Sequence, residues 1–153
     1  MANEEYKEIE EFDKLKTKVL KYVLYKKRTE QEVRQKFTEN TGNLLDNVIE
    51  YLKQENYIND TSYIEKSVNE IQRLKNLSIK EVKYKLLAKG LSSKLVDEYI
   101  YNHKEEMLEY EINSAKNILV KKSNTMEQEE IISYLMKKGY MQETIRIIGE
   151  DYE

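Results

Sequence analysis

Residue types that do chemistry are scarce in this chain. It has no cysteine and a single histidine, His103. Disulfides, thiolate metal sites and thiol nucleophiles are excluded together, and two-histidine metal motifs with them. His103 stands in Tyr101-Asn-His-Lys-Glu105 with no nucleophile or organised carboxylate to work with. It reads as a helix-end residue that complements the carbonyl end of the helix dipole. Glu105, Glu106, Glu109 and Glu111 are expected to form a solvated charge run on an exposed helix face. Carboxylates without supporting hydrogen bonds hold Mg2+ weakly. Neither a G-x-x-x-x-G-K-[ST] phosphate loop nor a G-x-S-x-G elbow occurs. The sequence therefore predicts no metal, no cofactor and no enzymatic activity. Of the 13 tyrosines, Tyr84, Tyr99 and Tyr101 are read as packing residues before base-stacking platforms.

One stretch rises above this background. Residues 73–89 carry Arg73, Lys75, Lys80, Lys83, Lys85 and Lys89 against one acid, Glu81. On a helix, Ile79, Val82 and Leu86 share the buried stripe. Lys80, Lys83, Tyr84 and Leu87 fall on one flank, with Lys85 and Lys89 on the other. Lys137 and Lys138 repeat the feature on a smaller scale, as does Lys36. The patch is either a solvated surface or a basic docking face for an acidic partner surface or for DNA. Docking of this kind speeds association more than it raises affinity. The chain as a whole is not basic: 26 Lys and Arg face 29 Asp and Glu, a net charge of -3. Strong sequence-independent binding to nucleic acid needs a clear basic excess.

The elements that position these residues are helical. There is no proline and there are four glycines, so the common breakers are nearly absent. Charged residues make up 36% of the chain, and no apolar run approaches the roughly 20 residues that span a bilayer. The start, MANEEYKEIEEF, is acidic and lacks the apolar core of a secretory signal, which points to a cytoplasmic protein. Gly42, Gly90 and Gly139 recur at steps of 48 and 49 residues, each between two helical patterns. Val48, Val96 and Ile145 follow them at the same distance, as do Tyr51, Tyr99 and Ile148. Ahead of the glycines, Thr29-Glu-Gln-Glu32 and Ser78-Ile-Lys-Glu81 are capping boxes, and Thr125-Met-Glu-Gln128 is a displaced third version.

A longer amphipathic stripe precedes each box: Leu15, Val19, Leu20, Val23, Leu24; then Ile64, Val68, Ile71, Leu74; then Leu108, Ile112, Ala115, Leu119. No run alternates as a strand does. The predicted fold is all-α: three tandem three-helix repeats in an elongated, curved array. Residues 1–12 form an acidic lead-in, and the repeats occupy 13–59, 60–103 and 104–153. The neighbouring readings of such a pattern are a helical-repeat adaptor and a helix-turn-helix-like DNA-binding protein.

Four segments in order carry a family resemblance. Leu52-Lys-Gln-Glu-Asn-Tyr-Ile-Asn-Asp60-Thr-Ser-Tyr63 resembles the L-x-x-x-G-[LY]-[IL]-[DN]-D segment of the RecX family, with Asn56 in the glycine place. Asparagine tolerates the left-handed conformation that a glycine there would adopt. Val82, Lys85, Leu86, Lys89, Gly90 and Leu91 match that family's central K-G core. Tyr134-Leu-Met-Lys-Lys-Gly-Tyr140 is similar to its F-L-x-x-R-G-F, and Thr29, Glu32, Val33, Lys36 and Phe37 to its first motif. The stretch Arg73-Leu-Lys-Asn-Leu is poorer in charge than the family's equivalent. The resemblance implies a helical, monomeric modulator that binds the RecA recombinase filament and inhibits its ATPase, strand-exchange and coprotease activities. The basic patch supplies the expected partner-binding residues, Arg73, Lys75, Lys80, Lys83, Tyr84, Lys85, Lys89, Lys137 and Lys138, with at most weak contact to filament-bound DNA and none to membrane.

Overall fold

The computed structural model describes residues 2–39 and 42–151. Among them are nine α-helices and no strand: α1 (Ala2–Tyr25), α2 (Glu30–Lys36), α3 (Asn43–Gln54), α4 (Asp60–Leu74), α5 (Ile79–Ala88), α6 (Ser93–Asn102), α7 (Lys104–Lys122), α8 (Gln128–Lys137) and α9 (Gln142–Asp151). The all-α expectation holds. Residue 1 of the expected lead-in and residues 152–153 of the third stretch lie outside the described residues. Helix α1 begins at Ala2 and runs through the acidic residues of the lead-in without a breaker.

The helices fall into two compact units, Met1–Tyr63 with Lys89–Leu91 and Ile64–Ala88 with Ser92–Glu153. In the first, Leu15, Val19 and Val23 of α1 meet Val33 of α2 and Leu45, Val48, Ile49 and Leu52 of α3, closed by Ile58. Their spacing places them on one face of each helix, as burial requires. Leu20 is half-buried and Leu24 is exposed, so the expected α1 stripe is narrower than the sequence suggests. Helix α3 ends on Asn56 at φ +65°, with Tyr57 N–H on Leu52 O at 2.8 Å and Asn56 N–H on Lys53 O at 3.0 Å. This is the left-handed closure expected of that asparagine. Burial works to raise the Glu30 carboxyl, but Lys53 at 2.9 Å and Arg34 at 3.2 Å hold it below its ordinary value.

In the second unit α7 is the central helix, packed on α5, α6, α8 and α9. Ala115, Leu119, Ile131, Leu135, Tyr140 and Ile148 form its core. The buried face of α7 is Met107, Glu111, Ser114, Ala115 and Leu119. The expected stripe through Leu108 and Ile112 is thus turned by about one position, and both of those residues are only half-buried.

The two capping boxes are the joints of these units. Thr29 Oγ1 accepts from Glu32 N–H at 3.1 Å while Glu32 Oε1 accepts from Thr29 N–H at 3.0 Å. Ser78 and Glu81 make the same pair of bonds at 3.1 Å each. Each hydroxyl also donates, at 2.7 Å, to the carbonyl of a lysine 60 residues on: Thr29 to Lys89 and Ser78 to Lys138. Those lysines precede Gly90 and Gly139, whose φ values of +87° and +92° suit glycine alone. A Cβ on Gly90 would collide with the Gln31 side chain, and one on Gly139 would lie 2.8 Å from Lys80 Cδ. An acid from the following long helix completes each joint. Asp60 accepts from Glu30 N–H at 3.0 Å, and Glu111 accepts from Ile79 N–H at 2.8 Å.

The third box is elsewhere than the sequence suggested. Thr125 Oγ1 turns back to Lys122 O at 3.4 Å, and α8 is capped at Glu127, which makes no side-chain capping bond. Glu127 stands as far ahead of Gly139 as Ser78 stands ahead of Gly90. Ser78→Ala removes both the cap and the donor to Lys138 O. It is expected to cost about 2 kcal/mol, with a melting temperature roughly 4–8 °C lower by circular dichroism, while Ser78→Thr stays close to the parent.

Candidate protein-docking face

Helix α5 carries four of the nine sequence-predicted site residues, Lys80, Lys83, Tyr84 and Lys85. Val82 and Leu86 are buried, which turns Lys80 and Tyr84 outward. The start of α5 is pinned from several sides. Ser78 holds the Lys138 carbonyl, Glu111 holds Ile79 N–H, and Tyr110 Oη accepts from Leu77 N–H at 3.0 Å while donating to Lys75 O at 2.7 Å. Pinning of this kind fixes a surface side chain's base and leaves its tip to meet a partner.

The stem of Lys80 lies along the Lys138–Gly139 turn, so α5 and the end of α8 are neighbours in space. Lys80 Nζ is 5.9 Å from the centre of the Tyr84 ring, and that ring is 58% exposed. Across the turn, Lys138 Nζ stands 5.6 Å and Lys122 Nζ 4.4 Å from the centre of the Tyr134 ring. Ammonium groups over aromatic faces are weakly attracted while remaining available to solvent. The second unit therefore brings Lys80, Tyr84 and Lys138 into one basic and aromatic neighbourhood, while Lys137 lines a hollow on α8 with Glu129, Glu130 and Tyr134. It adds two residues the sequence reading missed, Lys122 and Tyr134. Their signal was present in the two Lys-Lys pairs that end α7 and α8.

The other candidates are placed differently. Lys83 is engaged by Asp97 of α6 at 2.7 Å, and that bond holds the Asp97 carboxyl below its ordinary value. Lys85 is exposed on the opposite flank of α5. Arg73 lines a shallow hollow on α4 with Lys66, Asn69 and Glu70, and Lys75 is exposed just beyond it. Lys89 belongs to the first unit, where its carbonyl serves Thr29.

Glu111 corrects the reading of the acidic run. Glu105, Glu106 and Glu109 are exposed as expected, but Glu111 is fully buried. Oε2 accepts from Ile79 N–H at 2.8 Å, and Oε1 accepts from Met141 N–H at 2.8 Å and Thr144 Oγ1–H at 2.6 Å. One carboxylate thus ties α5, the turn before α9 and α9 itself to α7. His103 closes α6 and precedes α7, with Nδ1 2.8 Å from Tyr99 O and its ring stacked on Tyr99 at 4.0 Å. Burial pushes the Tyr99 phenol up, and more strongly that of Tyr140. Among the described residues no group of three or more His, Asp or Glu is placed to hold a metal, and no helix is long and apolar enough to cross a membrane.

Comparison with known proteins gives a consistent set of relatives, although no family model matches the chain. Regulatory protein RecX of Clostridium beijerinckii is 31% identical over 141 residues, covering 87% of this chain and 65% of the relative. Regulatory protein RecX of Clostridium perfringens strain SM101 is 32% identical over 151 residues, covering 90% of this chain and 69% of the relative. The chain spans from about half to just over two thirds of the length of the curated relatives it matches. In fold, the crystal structure of RecX from Lactobacillus salivarius superposes with a TM-score of 0.78 at 21% identity, covering 94% of this chain and 97% of that one.

Proposed function

The chain belongs to the RecX family of regulatory proteins, and from that premise we propose that it binds the RecA recombinase filament and inhibits its ATPase, strand-exchange and coprotease activities. The docking face is the basic and aromatic neighbourhood of α5 and the end of α8. Lys80, Tyr84, Lys137 and Lys138 make first contact, Lys122 and Tyr134 stand beside them, and Arg73, Lys75, Lys83, Lys85 and Lys89 contribute to the surrounding positive field. Filament-bound DNA is at most weakly touched. The protein acts as a monomer in the cytoplasm and carries out no reaction of its own.

The observation that carries this reading is the repeated joint. Thr29 on Lys89 and Ser78 on Lys138 use the same bond over the same 60 residues. This supports three tandem units, 13–59, 60–103 and 104–153, built to one register. A periodic protein meets a periodic filament with several weak contacts at once, and linked weak contacts bind far more tightly than any one of them. The test is single-stranded-DNA-dependent ATP hydrolysis by the cognate recombinase. Substoichiometric protein is expected to slow it, and an unchanged rate at equimolar protein would overturn the proposal.

A further inference from the structure

Two of the chain's four arginines hold carboxylates of their own: Arg34 reaches Glu30 and Asp46, and Arg146 reaches Glu150. Arg28 makes no hydrogen bond and no ion pair among the described residues. Its side chain is half-buried, and Nε is sealed from solvent without an acceptor. Enclosed polar groups are normally paired, and a guanidinium carries five donors to pair. The group is nevertheless held in place. Its Cζ lies 4.2 Å from the centre of the Tyr22 ring, which Phe37 supports edge-on at 5.7 Å. Lys36 Nζ stands 5.9 Å from the centre of the same ring. Arg28 directly precedes Thr29, so the capping box fixes its backbone.

We propose that Arg28, with Lys36 beside the same ring, is a carboxylate-binding site for a short acidic segment of a partner protein. It belongs to the first unit and the α5 face to the second, and neither assignment rests on the other. A guanidinium laid on a ring face keeps its edge for an oxyanion, and its planar fork matches the two oxygens of a carboxylate. Holding it there in advance removes part of the ordering cost of binding. The surrounding charge has the right sign. Seven lysines and arginines stand between Asp13 and Glu30 with no acid among them. The helix dipole does not explain them, because it acts within the last turn, and the last turn of α1 holds none of the seven. The other half of the helix limits the length of the occupant. Residues 4–13 hold six acids against Lys7 alone. A long polyanion laid along α1 would run onto those acids, whereas a short acidic segment meets only the basic end. Leu24 and Tyr25 are exposed at that end, so an apolar side chain next to the acid also finds a surface.

The test titrates the full chain, isotopically labelled, with a short blocked peptide of alternating aspartate and phenylalanine. The readout is the Nε–Hε signal of Arg28, identified by its loss in Arg28→Gln, together with the backbone amides. The peptide is expected to move that signal and the amides of Tyr22, Tyr25 and Lys36. The same peptide with asparagine for aspartate should leave them in place. Arg28→Gln should weaken binding about tenfold or more, and Lys36→Gln about threefold. Lys36 is exposed, so its variant keeps the test decisive even if the Arg28 variant folds poorly. Unchanged affinity in the Lys36 variant and in a folded Arg28 variant, or shifts confined to other residues, would overturn the proposal. So would tighter binding of an oligothymidylate of the same charge, which would assign the site to nucleic acid.

Discussion

Replacing Glu111 with leucine is expected to lower the melting temperature by about 10 °C, equivalent to roughly 4 kcal/mol for a chain of this size. Leucine is close in volume, so the loss comes from polar bookkeeping and not from a cavity. Three donors lose their acceptor together: Ile79 N–H, Met141 N–H and the Thr144 hydroxyl. Each such group left unpaired in the interior costs about 1–3 kcal/mol. Glu111→Gln separates the parts. Its oxygen can still serve Met141 and Thr144, but its amide would point N–H at the Ile79 N–H, so about half of the effect should remain. A fall of less than about 2 °C for the leucine variant would show that these bonds contribute little.

The second large effect is on function. Lys80→Glu, Lys137→Glu and Lys138→Glu combined are expected to raise the concentration needed for half-inhibition of recombinase ATP hydrolysis more than tenfold. The melting temperature should stay within about 3 °C of the parent. The contact that Lys80 makes with Gly139 runs through Cβ, Cγ and Cδ, and glutamate has three carbons at those places. Cβ and Cγ are kept as methylenes and the carboxylate carbon takes the place of Lys80 Cδ, so most of the packing stays while the charge reverses. Because steering between charged surfaces is screened, the parent should lose potency as salt rises from about 50 to 300 mM, and the variant should respond much less. Unaltered inhibition by the variant would remove this face from the docking surface. The choice of lysines departs from the local cluster on α5 because Lys83 is already bound to Asp97.

What the sequence disclosed was whatever is decided within a turn or two of helix. The boxes at Thr29 and Ser78 close on residues three positions away, so their residue types suffice. Asn56 in a glycine place announced its own positive φ. Glu111 was illegible because its donors lie 30 to 33 residues away on other elements. Alone on a helix it looks like its solvated neighbours. The ion pair of Lys83 was hidden for the same reason, its partner being on the next helix. Thr125 misled because a hydroxyl is a good local cap, yet the spacing that makes Glu127 the true cap was already present ahead of Gly139. On the docking face, residue types marked Lys80 and Tyr84, but only tertiary structure places the Lys138–Gly139 turn against them.

The matched reach of the Thr29 and Ser78 hydroxyls has a consequence for how such a gene can change length. An in-frame loss that splices Thr29 directly onto Ile79 leaves a box reading Thr-Ile-Lys-Glu, with its hydroxyl still counted correctly to the Lys138 carbonyl. A deletion of any other size between the two hydroxyls slides Thr29 off that carbonyl, so the register tolerates the loss of a whole module and not of part of one.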